Sequence, residues 1–158
     1  MIPSPINKRQ SIGALALSAV ALVGIALSEG YSDHAIIPVP GDVPTLGFGT
    51  TEGVHLGDKI TPPKALARAL VDVQKYEGAV KKCVTVPLTQ GEYDSYIDLA
   101  YNIGPGAFCG STLVKRLNEY HYDEACRQIL VWNKFKGKAL SGLTKRRQAE
   151  YQQCIGQP

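Results

Sequence analysis

The first 28 residues combine a short basic leader with one long apolar stretch. Residues 11–28 carry no charge over 18 positions, which at about 1.5 Å per helical residue is enough to cross a bilayer core. Ten of those 18 residues are Ala, Gly or Ser, so the stretch is only weakly hydrophobic. Lys8 and Arg9 precede it, and this asymmetry predicts a cytoplasmic N-terminus with the rest of the chain exported.

A cleavable signal peptide is the alternative for this stretch, because Gly24-x-Ala26 satisfies the small-residue rule for cleavage. Cleavage after Ala26 would leave Glu29, the first acid of the chain, at a frayed N-terminus. An uncleaved helix that runs into Glu29 would instead hold its side chain in place. We therefore predict a leader and weak transmembrane segment over residues 1–28, followed by one folded domain over 29–158.

The pattern after this stretch changes from turn-rich to helical. Residues 32–60 mix short apolar groups with many Gly, Pro and Asp residues, which predicts a small antiparallel sheet of two or three strands. Thr61 and the two prolines after it start a long helix over about 62–82. Thr89 with Glu92 fits a capping box that starts the next helix.

The remaining pattern predicts further helices, and with them the fold class. A helix from Thr89 should end near Gly104, Ser111 can cap another, and two more cover about 123–131 and 143–154, with a Lys-rich loop over 134–141. We expect an α+β, mainly α fold. A small β lobe (about 32–60) and a helical lobe (about 61–155) are joined by the long helix, with a cleft between them.

Composition excludes several classes of function. The net charge is only +3, so a nucleic-acid partner is not expected, and the late cluster of Lys and Arg residues is read as a solvated face. Trp132 and Phe135 are expected in the core.

Cys83, Cys109, Cys126 and Cys154 indicate disulfides formed outside a reducing cytoplasm, and all three pairings remain open. Long Cys spacings and isolated His residues indicate neither a metal nor another cofactor.

Three polar residues near the apolar stretch are the candidates for chemistry: Glu29, Asp42 and Thr45. Glycoside hydrolysis needs a carboxylic acid that protonates the leaving oxygen and a second group across the sugar that places a water or stabilises positive charge. Glu29 lies at the end of a candidate helix, and the other two follow in the turn-rich segment. The residues alone give weak evidence, because most acids are simply exposed to solvent.

The segment EGYSDHAIIPVPGDVPTLGFGTTEGV resembles the active-site segment of phage lysozymes of glycoside hydrolase family 24, the T-even type. AYNIGPGAF, STLVKRLN and GLTKRRQAE resemble the same family at corresponding places, so that the likeness covers about residues 27–154. The resemblance implies a lysozyme-like fold and hydrolysis of the β-1,4 bond between N-acetylmuramic acid and N-acetylglucosamine in peptidoglycan.

The family's catalytic trio carries over only in part. It consists of a Glu, an Asp after eight intervening residues and a Thr after five more. Glu29 matches the Glu, and Thr45 matches the Thr that opens the Thr-Leu-Gly-Phe-Gly strand. The spacing between them is one residue too long, and the position expected for the Asp holds Pro38. We assign Asp42 as a displaced replacement, with Asp33 and Glu52 as weaker substitutes.

The N-terminus resembles the signal-arrest-release segment of phage endolysins. This likeness implies a monomeric enzyme exported to the host periplasm, first tethered to the inner membrane through residues 11–28 and then released to degrade the wall. Two alternatives remain open at this point. A lytic transglycosylase would use one acid without a catalytic Asp, and a membrane-anchored wall-binding protein would need no acid at Glu29.

Overall fold

The structure, a computed structural model, describes residues 8–157. The chain forms two compact units. Ala19–Lys75 is the hairpin unit, and residues 8–18 together with residues 76–157 form the helical unit. Residues 1–7 of the predicted leader lie outside the described part of the chain.

The hairpin unit begins with helix α1 (Ala19–Glu29) and continues into strands β1 (Ser32–Ile36) and β2 (Thr45–Gly47). The strands pair antiparallel, with Ser32 opposite Gly47 and Ile36 opposite Thr45. The small core of this unit holds Ala35, Leu46 and Val54, with Ile60 packed against it. The predicted small sheet over 32–60 is therefore present and has two strands.

Helix α2 (Pro62–Cys83) begins in the hairpin unit and ends in the helical unit. It confirms the long helix predicted from the two prolines, which suit a first helical turn because its N–H groups have no partner within the helix. The buried face of α2 carries small residues rather than leucines. Ala65, Ala69 and Val73 are buried, whereas Leu66 and Leu70 are about two-fifths exposed.

The helical unit contains the end of α2, five further helices and a second hairpin. The helices are α3 (Gln90–Ile103), α4 (Pro105–Cys109), α5 (Thr112–Asn118), α6 (Tyr122–Gln128) and α7 (Ser141–Cys154). The Thr89 side chain and Glu92 form the predicted capping box, Gly104 ends α3 and Ser111 caps α5. Local sequence signals therefore mark the start of α3, the end of α3 and the start of α5.

Aromatic and aliphatic side chains from α3, α4 and α5 form the core of the helical unit. Tyr93, Tyr96, Ile97, Phe108 and Leu113 are fully buried. Two disulfides, Cys83–Cys109 and Cys126–Cys154, lie within this unit. They resolve the pairing that the sequence leaves open.

Two sequence expectations differ from the structure. The Lys-rich segment forms a short hairpin of β3 (Lys134–Phe135) and β4 (Lys138–Ala139) instead of a loop. Phe135 lies on it with 60% of its surface exposed, so its predicted core position is wrong.

The apolar stretch of residues 11–28 is also not one helix. A short 3-10 turn over Ile12–Ala14 is separated from α1 by residues 15–18. Between residues 8 and 157, no helix combines the length and apolar character that crossing a membrane requires.

Candidate active site

Glu29 is the last residue of α1, as the uncleaved-helix interpretation predicts. Gly30 follows it at φ +74°, a left-handed conformation that commonly ends helices and that glycine adopts at little cost. The chain then enters β1 at Ser32. The acid is therefore held on a regular helix at the point where the chain turns into the hairpin.

The side chain of Glu29 lies against Gly49. A methyl group placed on Gly49 would stand 3.5 Å from Glu29 Oε2 and 3.8 Å from Glu29 Cβ. Gly49 has φ +90°, a conformation that L side chains rarely adopt. Glycine at this position therefore permits the sharp turn beside which the acid lies.

The turn that contains Gly49 is anchored to α2 at two points. A methyl group on Gly47 would come within 2.8 Å of the Ala65 side chain, so the turn packs directly on the first part of α2. Thr50 is buried and donates a hydrogen bond from Oγ1 to Asp72 Oδ2 at 2.6 Å. These contacts fix the surface on which Glu29 rests.

Thr45 opens β2, two residues before Gly47. At about 3.3 Å per strand residue, the two positions are separated by roughly 7 Å. Its hydroxyl makes one long hydrogen bond, 3.4 Å to the carbonyl oxygen of Val43. The side chain is half-buried, and its hydroxyl remains available for a stronger partner.

Asp42 lies in the loop that joins β1 to β2. Gly47 lies at the other, open end of the same hairpin. Its backbone N–H donates to the carbonyl of Val39 at 3.0 Å, and its Oδ1 accepts the N–H of Val43 at 2.8 Å. One carboxylate oxygen thus closes its own turn, a common role for Asp. The side chain is exposed to solvent.

The two substitute acids already have side-chain partners. Asp33 Oδ1 lies 2.6 Å from His34 Nδ1, and this hydrogen bond lowers the pKa of Asp33. The Glu52 carboxylate pairs with Lys75, and this pair lowers the pKa of Glu52. Both acids are exposed and have a side-chain partner, which distinguishes them from Asp42.

One positioning pair was missed in the sequence. The rings of Tyr31 and Phe48 lie 5.3 Å apart at a tilted angle, and the Tyr31 hydroxyl donates to the carbonyl of Ile60 at 3.0 Å. Tyr31 follows Glu29 by two residues, and Phe48 precedes Gly49. The aromatic contact therefore joins the chain after the acid to the turn beneath it. Their nearness to Glu29 and Gly49 in the sequence was the available signal.

The described residues offer no place for a metal ion. Within residues 8–157, no group of three His, Cys, Asp or Glu side chains is close enough to hold one. Glu29, on a fixed surface, is the group best held for proton transfer.

A sequence model of the phage lysozyme family matches residues 26–150. The chain belongs to the phage lysozyme family. The SAR-endolysin of Pseudomonas phage phiKMV is 37% identical over 141 residues, which cover 87% of each chain. The solved structure of a P22 lysozyme mutant is 32% identical, covers 89% of this chain and 99% of its own, and superposes with a TM-score of 0.79.

Family membership makes this protein an enzyme, a lysozyme, and an endolysin with muramidase activity. It confirms the lysozyme-like α+β fold and does not favour the transglycosylase or the non-enzymatic alternative. Two forms of the P1 phage endolysin Lyz bear on the fold alone. The TM-score is 0.78 to its active form, at 20% identity, and 0.58 to its secreted inactive form, at 17% identity.

Proposed function

We propose that Glu29 is the general acid of this muramidase and protonates the leaving oxygen of the glycosidic bond. The observation that carries the proposal is the position of its carboxylate beside Gly49, with Oε2 3.5 Å from the point where a Cβ atom of residue 49 would lie. A proton donor must be held within a fraction of an ångström of its working geometry. Glu29 is held by a helix behind it and by an anchored glycine turn beneath it.

Thr45 holds the attacking water in this mechanism. Its hydroxyl makes only the long bond to Val43, so it can exchange that partner for a water. An inverting glycosidase places the water on the face of the sugar opposite the acid, with a separation of several ångströms between the two groups. The distance of Thr45 along β2 from the Gly47–Gly49 turn is of this order.

Asp42 is the proposed second carboxylate, which stabilises positive charge on the sugar and orients the same water. Its Oδ1 is bound to the N–H of Val43. Within residues 8–157, its other oxygen accepts no hydrogen bond. The loop that carries it ends directly before Thr45, so small rearrangements of that loop bring Asp42 and Thr45 to the same face of the substrate.

The same enzyme is exported to the periplasm of the host cell, tethered at first to the inner membrane through residues 11–28 and then released as a monomer. The length and lack of charge of these residues support a tether. Their many small residues support release, because they reduce the cost of leaving the bilayer. The relative from phage phiKMV carries the name SAR-endolysin.

Two measurements test the proposal. Digestion of purified peptidoglycan should release reducing muramic acid ends and no 1,6-anhydro ends, and Glu29→Gln should release neither. Cell fractionation of the full chain over time should show it first with the inner membrane and later in the soluble periplasm. Anhydro products, or a chain that never associates with the membrane, would contradict the corresponding half of the proposal.

A further inference from the structure

The apolar stretch of residues 11–28 is interrupted at residues 15–18, although these contain neither Pro nor Gly. Leu15 has φ −90° and ψ 148°, which is extended backbone. Its side chain is buried, with 3% of its surface exposed. An uninterrupted helix would be the default for such a stretch in a bilayer. The interruption therefore needs an interaction that favours it.

Two carboxylates of the helical unit accept the backbone N–H groups of this interruption. Glu77 Oε1 accepts the N–H of Leu17 at 2.7 Å. Asp94 Oδ1 accepts the N–H of Ser18 at 3.0 Å, and Asp94 Oδ2 accepts the Ser18 hydroxyl at 2.6 Å. Both acids are buried, and buried carboxylates require such donors.

Two side chains of the helical unit donate hydrogen bonds to the carbonyl oxygens of the two residues that precede Leu17. Lys81 Nζ donates to the carbonyl of Leu15 at 2.5 Å, and Gln90 Nε2 donates to the carbonyl of Ala16 at 2.9 Å. Four consecutive residues thus have one backbone group each bound by a side chain. We call Glu77, Lys81, Gln90 and Asp94 the backbone clamp.

The clamp is held in place by its own contacts. The Tyr93 hydroxyl donates to Glu77 Oε1 at 2.7 Å, and Gln90 Nε2 also donates to Asp94 Oδ1 at 2.8 Å. Lys81 Nζ lies 5.6 Å from the centre of the Tyr93 ring. The four side chains lie on α2 and α3, two regular helices, so the site does not depend on a loop.

The clamp competes with a continuous helix for the same groups. In an unbroken helix, the N–H groups of Leu17 and Ser18 would bond to the carbonyls of Gly13 and Ala14. Each N–H has one hydrogen to donate, so the clamped and the helical states exclude each other. A helix that starts only at Ala19 has 11 residues, about 16 Å, which is too short to span a bilayer.

We infer that the helical unit contains a binding site for the extended backbone of residues 15–18, and that the clamp captures this segment when it leaves the membrane. The ligand is the polypeptide backbone of the chain itself, recognised by two acceptors, two donors and a pocket for the Leu15 side chain. This inference rests on the proposed tethering. Capture shortens the helix below the length of a membrane span and so opposes reinsertion.

The test uses the full chain with Lys81→Met, and with Lys82→Met as the matched control. The two lysines are neighbours on α2, but only Lys81 reaches residues 15–18, and Lys82 is exposed. Asp94→Ala is the stronger variant. Because Asp94 is buried, Lys81→Met keeps the test decisive if Asp94→Ala does not fold.

The first readout is the ratio of membrane-bound to soluble chain after export. Lys81→Met should raise this ratio severalfold, Asp94→Ala should raise it further, and Lys82→Met should leave it at the wild-type value. The second readout is amide hydrogen exchange of Leu17 and Ser18 in the soluble protein. Lys81→Met should accelerate it about tenfold, since local opening sets the exchange rate.

The two readouts separate this inference from the tethering proposal. If the wild-type chain never reaches the membrane fraction, tethering is wrong, and the exchange rates alone decide whether the clamp binds the segment. If the chain is tethered and released but Leu17 and Ser18 exchange as fast as free amides, the clamp is wrong and tethering stands. Identical values for wild type, Lys81→Met and Asp94→Ala in both readouts would also overturn the clamp.

Discussion

The carboxylate of Glu29 lies beside Gly49, with 3.5 Å between Glu29 Oε2 and the point where a Cβ atom of residue 49 would lie. The acid at the end of α1 is therefore positioned by a turn 20 residues later. A methyl group at Gly49 would be in ordinary van der Waals contact with the acid, so the demand for glycine comes from the positive φ of the turn. The geometry of the proposed proton donor thus depends on a residue that has no chemistry of its own.

Gly49→Ala should reduce muramidase activity about 10- to 100-fold, because relief of the backbone strain at φ +90° shifts the turn beside which the Glu29 carboxylate lies. It should also lower stability by about 1 kcal/mol or more through strain at φ +90°. Initial rates on purified peptidoglycan and thermal unfolding measure the two effects.

Gly53→Ala is the control for that variant. Gly53 also has a positive φ, +68°, but a methyl group on it would have no neighbour within 4 Å. It should lose similar stability and keep its activity. Equal activity losses in the two variants would show that strain alone, rather than contact with Glu29, explains the effect.

Asp42→Asn should lower turnover by about two orders of magnitude if its carboxylate stabilises the positively charged sugar, since a neutral amide does so poorly. Asp58→Asn is the matched control, because Asp58 Oδ2 accepts the N–H of His55 at 2.9 Å in a similar turn. Turnover of both variants, with melting temperatures, distinguishes chemistry from turn geometry. Loss of turnover in neither variant would leave Glu29 and Thr45 as the working pair.

Removal of the Cys126–Cys154 disulfide should destabilise the helical unit by about 3–4 kcal/mol, because the bond closes a loop of 28 residues in the unfolded chain. The double variant Cys126→Ala with Cys154→Ala should therefore melt roughly 10 °C lower. At low temperature it should retain wild-type activity, since neither cysteine lies in the hairpin unit. Early loss of activity before any unfolding would contradict a purely structural role.

Stability should fall as the pH rises from 5 to 9 because of one buried acid. Burial raises the pKa of Glu150 to about 8, although Arg147 Nη2 donates to it at 2.8 Å. A carboxyl whose pKa is raised on folding contributes stability that is complete below its ordinary pKa and disappears as the pH passes through the raised value. Between pH 5 and pH 9 the loss is on the order of 4 kcal/mol.

Glu150→Gln removes this titration and keeps an oxygen that accepts from Arg147. Its melting temperature should change less between pH 5 and pH 9 than that of the wild type. Glu124→Gln, at an exposed glutamate of the same unit, should follow the wild-type curve. A Glu150→Gln curve parallel to that of the wild type would contradict the raised pKa.

The parts of the fold that depend on local signals could be predicted from the sequence. Thr89 with Glu92 marked the start of α3, and the glycine at position 104 marked its end. The β3–β4 hairpin was not predictable in this way, because its turn places Lys136 at φ +48° followed by Gly137 at φ +79°. Two-residue turns of this type normally carry Asn-Gly or Asp-Gly.

The site could be predicted only as far as the resemblance to the family reaches. Glu29 and Thr45 followed from it, whereas the support of Glu29 by Gly49 is a contact across 20 residues that no local pattern reveals. The break at residues 15–18 was hidden for the same reason. It depends on Glu77 and Asp94, which lie 60 and 76 positions away from their backbone partners.

The most direct test of the account is the turnover of purified peptidoglycan by Glu29→Gln beside Glu52→Gln. Both residues are glutamates of the hairpin unit, but Glu52 is exposed and paired with Lys75. Glu29→Gln should lose about two to four orders of magnitude in rate, which is the usual contribution of a general acid. Glu52→Gln should stay within about twofold of the wild type. A Glu29→Gln enzyme with full activity would contradict the central claim.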